Sequence, residues 1–205
     1  MPRRVRAFVL LVGSLVMPLL LAACTAKEIP YDEEIATRRA DIDRFMRESS
    51  ESPIPQAQRA TFPPIPYYPV NQEYRVPASL VVAEPGDVME MPTSTGQRRR
   101  MRRIGALEFT LKNMPLKLTA FADESDTALL RLFVPFFDRT NGTETYPGGR
   151  YLDLERTATR VYDLDFNRAY SPYCHFNPAY DCPVPPRENR LQVPVRAGEK
   201  LEPLK

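Results

Sequence analysis

Cys174, His175 and Cys182 fall within a nine-residue stretch that holds the sequence's lone histidine and two of its three cysteines. A thiol nucleophile needs a base within hydrogen-bond reach and a third group to orient that base. Sequence neighbours on an extended segment point to opposite faces, so Cys174 and His175 are poorly placed as a dyad. Cys182 could face His175 across the loop, with Asn167, Asn177 or Asn189 orienting the ring. Two other chemistries compete for the same cysteines. In an exported protein the pair most simply forms a disulfide, and closing a nine-residue loop contributes about 2.6 kcal/mol in the chain-entropy model. A zinc clip would need four ligands, and Cys174, His175, Asp181 and Cys182 are two adjacent pairs that could hardly converge on one ion. No metal site and no cofactor is expected.

A second constellation lies just upstream. By strand alternation Asp165 and Asn167 share one side and Phe166 takes the other. Together with Arg150, Tyr151, Arg168 and Tyr170 they suggest a pocket mouth that would bind an anionic or sugar-like ligand through Arg contacts and aromatic stacking. The bland alternative is internal pairing of Asp with Arg while Asn caps loop backbone. The run Arg98-Arg99-Arg100-Met101-Arg102-Arg103 concentrates five cations at an expected turn or edge. It suits either a solvated edge that blocks strand aggregation or contact with anionic lipid head groups.

The elements that must position these residues are legible as changes of period. Tyr31–Ser49 reads as a helix, with Ile35, Ile42, Phe45 and Met46 on one face and Glu33 and Glu34 at its N-terminus. Glu34 with Arg38 and Asp43 with Arg47 are spaced for ion pairs along the helix. The segment 54–69, with Phe62-Pro63-Pro64-Ile65-Pro66-Tyr67-Tyr68-Pro69, should form an extended strap, because its prolines deny both helix and central strand. From Tyr74 onward the period is two. Leu107, Phe109 and Leu111 alternate with polar residues, and Leu116, Leu118 and Ala120 answer them across a turn at Asn113-Met114-Pro115. Similar runs at 74–82, 87–91, 129–134, 151–154, 160–166 and 191–195 bring the total to about eight strands. The fold class expected is mainly β: an antiparallel sandwich or partly open barrel with one N-terminal helix and a proline-rich strap.

The N-terminus carries Arg3, Arg4 and Arg6, an uncharged run over residues 7–21, and Leu21-Ala22-Ala23-Cys24. A charged start, an apolar stretch too short to span a bilayer and small residues before a cysteine resemble a bacterial lipoprotein export signal. The expected organisation is a signal peptide over 1–23, lipidation at Cys24, a tether over 24–30 and one helix-plus-β domain over 31–205. Loss of the three arginines would take the formal charge from +2 to −1, which removes any global electrostatic case for nucleic acid. The expected location is the cell envelope, anchored in the membrane, with the periplasmic face of the outer membrane favoured by Thr25 in a diderm organism.

Over 138–200 the stretches Asp138-Arg139-Thr140-Asn141-Gly142, Glu144-Thr145-Tyr146-Pro147-Gly148-Gly149-Arg150-Tyr151-Leu152, Asp165-Phe166-Asn167-Arg168-Ala169-Tyr170-Ser171-Pro172-Tyr173-Cys174 and Cys182-Pro183-Val184-Pro185-Pro186-Arg187-Glu188-Asn189-Arg190-Leu191 resemble the bacterial and archaeal family called domain of unknown function 1684. The resemblance extends over nearly the whole mature chain and implies no catalytic assignment. His175 departs from the family pattern, where a small residue commonly follows the first cysteine. The functions expected are, first, non-catalytic binding of a small ligand or envelope protein; second, thiol-dependent hydrolysis or transfer through Cys182 or Cys174 with His175; third, a structural envelope tether.

Overall fold

A computed structural model describes residues 29–84, 86–126 and 131–202. The segment expected to be a signal peptide, Cys24 and most of the expected tether therefore lie outside the described residues. Helix α1 (Tyr31–Glu48) is followed by a one-turn helix α2 (Gln56–Arg59) and seven strands: β1 (Arg75–Val82), β2 (Val88–Pro92), β3 (Arg98–Leu111), β4 (Met114–Asp123), β5 (Arg131–Phe136), β6 (Arg150–Glu155) and β7 (Val161–Asp165). All ladders are antiparallel in the order β6-β5-β4-β3-β1-β7, with β2 on the first half of β3. After β7 the chain bridges back to β6, Tyr151 and Tyr170 exchanging backbone hydrogen bonds of 2.8 and 3.1 Å. The result is a nearly closed barrel-like sheet with one main helix, the mainly β class expected from sequence.

Alternation explains which face each strand buries. Leu107, Phe109 and Leu111 of β3, Leu118 and Ala120 of β4, Leu132, Val134 and Phe136 of β5, and Leu152 and Leu154 of β6 form the barrel core. Such burial stabilises at roughly 25 cal/mol per Å² of apolar surface. On the opposite face Met91, Met101 and Phe121 form a second cluster with Phe133 against it. Odd-numbered β3 residues serve both faces because the register slips by one between Arg103 and Gly105. A single-residue β-bulge reverses side-chain parity beyond it. Glycine is required there, since a Cβ on Gly105 would come within 2.2 Å of the Val81 carbonyl oxygen.

Several sequence expectations need correction. The arginine run lies inside β3 rather than at a turn, between β2 and β4. The β3–β4 turn is Lys112-Asn113, both left-handed (φ 51° and 63°), as a two-residue type I′ hairpin demands, so Met114 and Pro115 already belong to β4. Residues 191–195 form no strand, and the strap contains α2. The helix does dock through its predicted stripe. Ile35 and Met46 are buried, and Ile42 and Phe45 pack with Ile54, Ile65 and Phe176. The two acids spaced for pairs along the helix reach outward instead, while Asp41 pairs with Arg44 within it. Glu34 pairs with Arg168, and Asp43 accepts the Ile65 N–H at 2.9 Å. Among the described residues no helix is long and apolar enough to cross a membrane.

Candidate functional site: a cleft between the helix and the barrel

The residues singled out in sequence separate into three places. Arg150, fully buried, donates to Asp138 Oδ2 (2.8 Å) and to the carbonyl oxygens of Val195 (2.7 Å), Ala197 (2.5 Å) and Glu199 (3.0 Å). Asp138 is equally buried, its other oxygen taking Thr140 N–H and Oγ1 and the Val195 N–H. The guanidinium ties the irregular C-terminal segment to β6. It does not line the cleft described below, because its charge is already spent on protein acceptors. Of the carbonyls it takes, that of Val195 closes the 191–195 run that alternation made look like a strand.

Asp165, Asn167 and Arg168 form a second group, under the start of α1. Asp165 Oδ1 accepts the Tyr31 hydroxyl at 2.8 Å and the Asn167 backbone and side-chain N–H groups. Asn167 closes a pair of hydrogen bonds with the backbone of Asn71 (3.0 and 2.9 Å). Arg168 pairs with Glu34 and lies 3.1 Å from Asp165. Burial, followed by the bond to Asp165, raises the Tyr31 hydroxyl far above the ordinary tyrosine range. Asp165 and Asn167 do come together, but because Asp165 caps a 3-10 turn over Phe166–Arg168 rather than by strand alternation, and in a latch that fastens the helix to the sheet.

Tyr151 and Tyr170 alone of that set line a cleft. It encloses about 1000 Å³ between α1, the outer face of β3–β6 and the loop 170–183. α1 contributes Ile42, Phe45 and Met46, the sheet contributes Met101, Phe133 and Asp153, and the loop contributes Tyr173, Phe176, Tyr180 and Cys182. Seven aromatic rings line it, several mutually perpendicular: Tyr151 and Tyr170 are 5.7 Å apart at 90°, Tyr173 and Tyr180 5.4 Å at 83°. Tyr151 donates to the Pro183 carbonyl, and Tyr170 to Asp153 Oδ2 at 2.7 Å. Burial, reinforced by Asp153, holds the Tyr170 hydroxyl well above its ordinary pKa. At the floor sits Glu199, 3% exposed, taking the Ser171 N–H at 2.7 Å. Burial pushes its carboxyl up to about 7. Sequence reasoning passed over Glu199 and the α1 lining. The helical stripe marked Ile42, Phe45 and Met46 only as docking residues.

The cysteine loop forms one wall. Cys174 and Cys182 are free thiols in this structure, the Cys174 N–H lying 3.2 Å from Cys182 Sγ. Burial pushes the Cys182 thiol up to about 11, away from the thiolate that a nucleophile requires. His175 stacks between Tyr146 and Phe176, both centroids 4.7 Å away, and burial lowers its pKa. Among the described residues no hydrogen bond joins His175 to either sulfur or to Asn167, Asn177 or Asn189. Asn177 and Asn189 bond backbone elsewhere. No three His, Cys, Asp or Glu side chains among the described residues are grouped to hold a metal. The arginine run is also accounted for internally. Arg98 faces Glu90, Arg99 Asp181, Arg100 Glu124, and Arg103 both Asp87 and Glu188, while Arg102 donates to the carbonyls of Glu124 and Asp126.

Fold and site together define a nearly closed antiparallel barrel with a helix-roofed, aromatic cleft on its outer face. The family model for proteins of unknown function (DUF1684) matches residues 60–200, and the chain belongs to that family. Among solved structures it is similar to an uncharacterized protein from gene locus rrnAC0354 of Haloarcula marismortui, determined by solution NMR. The two are 36% identical with a TM-score of 0.65, the match covering 82% of this chain and 92% of that one. A search of curated proteins finds no match to this sequence.

Proposed function

We propose that this is a lipid-anchored cell-envelope protein whose cleft binds a small ligand or a segment of an envelope partner without catalysis. The observation that carries the binding reading is the cleft itself. A cavity of about 1000 Å³ with rings on several walls and a few placed polar groups has the size and lining of small-molecule sites. Anchoring is supported by sequence alone: the Arg3-Arg4-Arg6 start, the short apolar run and the Ala22-Ala23-Cys24 junction. Residues 1–23 would be removed, and two or three acyl chains on Cys24 would hold the protein at the membrane. In this oxidising setting Cys174 and Cys182 would be cross-linked, their loop positions being already adjacent. The thiol-enzyme reading has less support, because nothing activates Cys182.

Two experiments test these parts separately. Cells expressing the full chain and fed an alkyne-bearing palmitate should label it, and Cys24→Ala should abolish both label and membrane recovery; an unaltered label would sink the anchor. The purified full chain should gain thermal stability with at least one fraction of envelope metabolites, and Tyr170→Ala should remove that gain. Absence of any shift across all fractions would favour the structural-tether reading instead.

A further inference from the structure

Charge and ring geometry together say what kind of ligand the cleft is built for. Six carboxylates line it (Glu34, Asp41, Asp123, Asp153, Asp181 and Glu199) against two guanidinium groups, Arg38 and Arg99. Three of the six are already neutralised: Glu34 by Arg168, Asp41 by Arg44 at 2.6 Å and Asp181 by Arg99 at 3.8 Å. Among the described residues the other three accept side-chain hydrogen bonds only from uncharged donors, with Arg99 near Asp123 and Arg150 near Glu199 acting on them at longer range. Asp123 takes the Ser125 N–H and hydroxyl, Asp153 the Tyr170 hydroxyl, and Glu199 the Ser171 N–H. No salt bridge reaches any of these three among the described residues. Asp123 and Asp153 are open to water, which screens part of their field, while buried Glu199, its carboxyl raised to about 7 by desolvation, gains its full charge when a cation comes to rest beside it.

The rings point the same way. Perpendicular neighbours such as Tyr151 with Tyr170 and Tyr173 with Tyr180 make the corners of a box, and the face of each π system is its negative region. A cation placed between such faces is attracted by the ring quadrupoles, by more when it is desolvated. An anion would meet the uncompensated carboxylates. A neutral polyol would find acceptors but would leave their charge standing.

Resting on the reading of the cleft as a binding site, we propose that its ligand is an organic cation, an amine or quaternary ammonium on an aromatic or apolar body. The ammonium sits against Asp153 and Glu199, and the body stacks on Tyr170 and Tyr173. Such a cation departs from the expectation of an anionic or sugar-like ligand, for which Arg150, buried elsewhere, is not available.

The test uses the purified full chain in a nonionic polyoxyethylene detergent. Four probes are titrated at neutral pH: tyramine, 4-ethylphenol, 3-(4-hydroxyphenyl)propanoate and maltotriose, read by calorimetry and by the ring resonances of Tyr170 and Tyr173. Tyramine should bind at least about tenfold more tightly than its neutral and anionic counterparts, the scale of a charge-assisted contact. Asp153→Asn, an exposed position, should reduce tyramine affinity by a similar factor and leave 4-ethylphenol unchanged. If 4-ethylphenol, the propanoate or maltotriose binds as tightly as tyramine, or if Asp153→Asn is without effect, the cation is wrong while the cleft remains a binding site. If none of the four moves those resonances, both readings fall.

Discussion

Glu199 joins two regions that use polar groups in opposite ways. Its backbone oxygen accepts Arg150 in the core, and its carboxyl faces the cleft. On the Arg150 side, four donor contacts and both Asp138 oxygens are consumed, and only Nε of the guanidinium is left without a partner. On the helix side, the Tyr67 hydroxyl and two Arg39 nitrogens are buried with no hydrogen-bond partner among the described residues, although Arg39 stacks 4.4 Å over the Tyr67 ring. Among the described residues three carboxylates of the cleft have no ion-pair partner. Buried polar groups are normally satisfied, as around Arg150; unsatisfied atoms at Tyr67, Arg39, Asp165 and Arg168 lie outside the cleft, so the unpaired carboxylates rather than those atoms set the cleft apart.

The hardest break to this contrast is at the core. Arg150→Met would leave the Asp138 carboxylate buried and uncompensated, and removing one member of a buried pair costs about 3–5 kcal/mol. Urea unfolding should show that loss, with part of it recovered when Asp138→Asn is added. A loss below about 1 kcal/mol would mean that the C-terminal segment is held by something else.

Next comes Glu199, whose two roles pH can separate. Its carboxyl is raised from 4.5 to about 7 by burial, with Asp43 adding to the rise and Arg150 and Ser171 opposing it, and Tyr67 lies close by. Between those values the folded state keeps a proton that the unfolded state has lost. Stability must therefore fall as pH rises from about 4.5 to about 7, by roughly 3 kcal/mol, and then level off. Glu199→Gln should abolish that slope. A slope that persists in the variant would assign it to another group.

What was legible in the sequence follows from what periodicity can report. Leu107, Phe109 and Leu111 declared a half-wet strand, and Ile35, Ile42 and Met46 a docking face, because burial on one side writes a local period. Partners far along the chain write none. The arginines at 98–103 read as a turn or edge because they follow Thr95-Gly96, yet Glu90, Glu124, Asp181 and Glu188 come from other segments to meet them inside a strand. Arg150 follows two glycines and reads as part of a pocket mouth; only the fold brings Asp138 and three carbonyl oxygens around it. The cleft was invisible for the same reason, since its walls come from a helix, four strands and a loop.

The cysteine wall gives a smaller effect. If the loop is cross-linked, reduction or Cys182→Ser should lower stability by about 2.6 kcal/mol, the loop-closure value, less any strain. Counting thiols before and after reduction checks the premise directly. Two alkylatable cysteines in the unreduced, unfolded protein would leave a dithiol, with Cys182 lining the cleft.

The weakest effect should come from the most conspicuous charges. Arg98 faces Glu90 at 3.6 Å with both side chains largely in water, and an exposed pair contributes about 0–1 kcal/mol, screened by salt. Arg98→Ala should accordingly shift unfolding by less than about 1 kcal/mol, and the shift should shrink as salt is raised. The same substitution also decides what the run is for. If these cations met anionic lipid head groups, each would add about 1 kcal/mol of vesicle binding, and replacing several would release the Cys24→Ala protein from phosphatidylglycerol vesicles. Because Arg98, Arg99, Arg100 and Arg103 face acids of the same chain, such protein should not float with those vesicles before or after substitution. Flotation that the substitutions abolish would move the run from the barrel's own ion pairs to a membrane-facing surface.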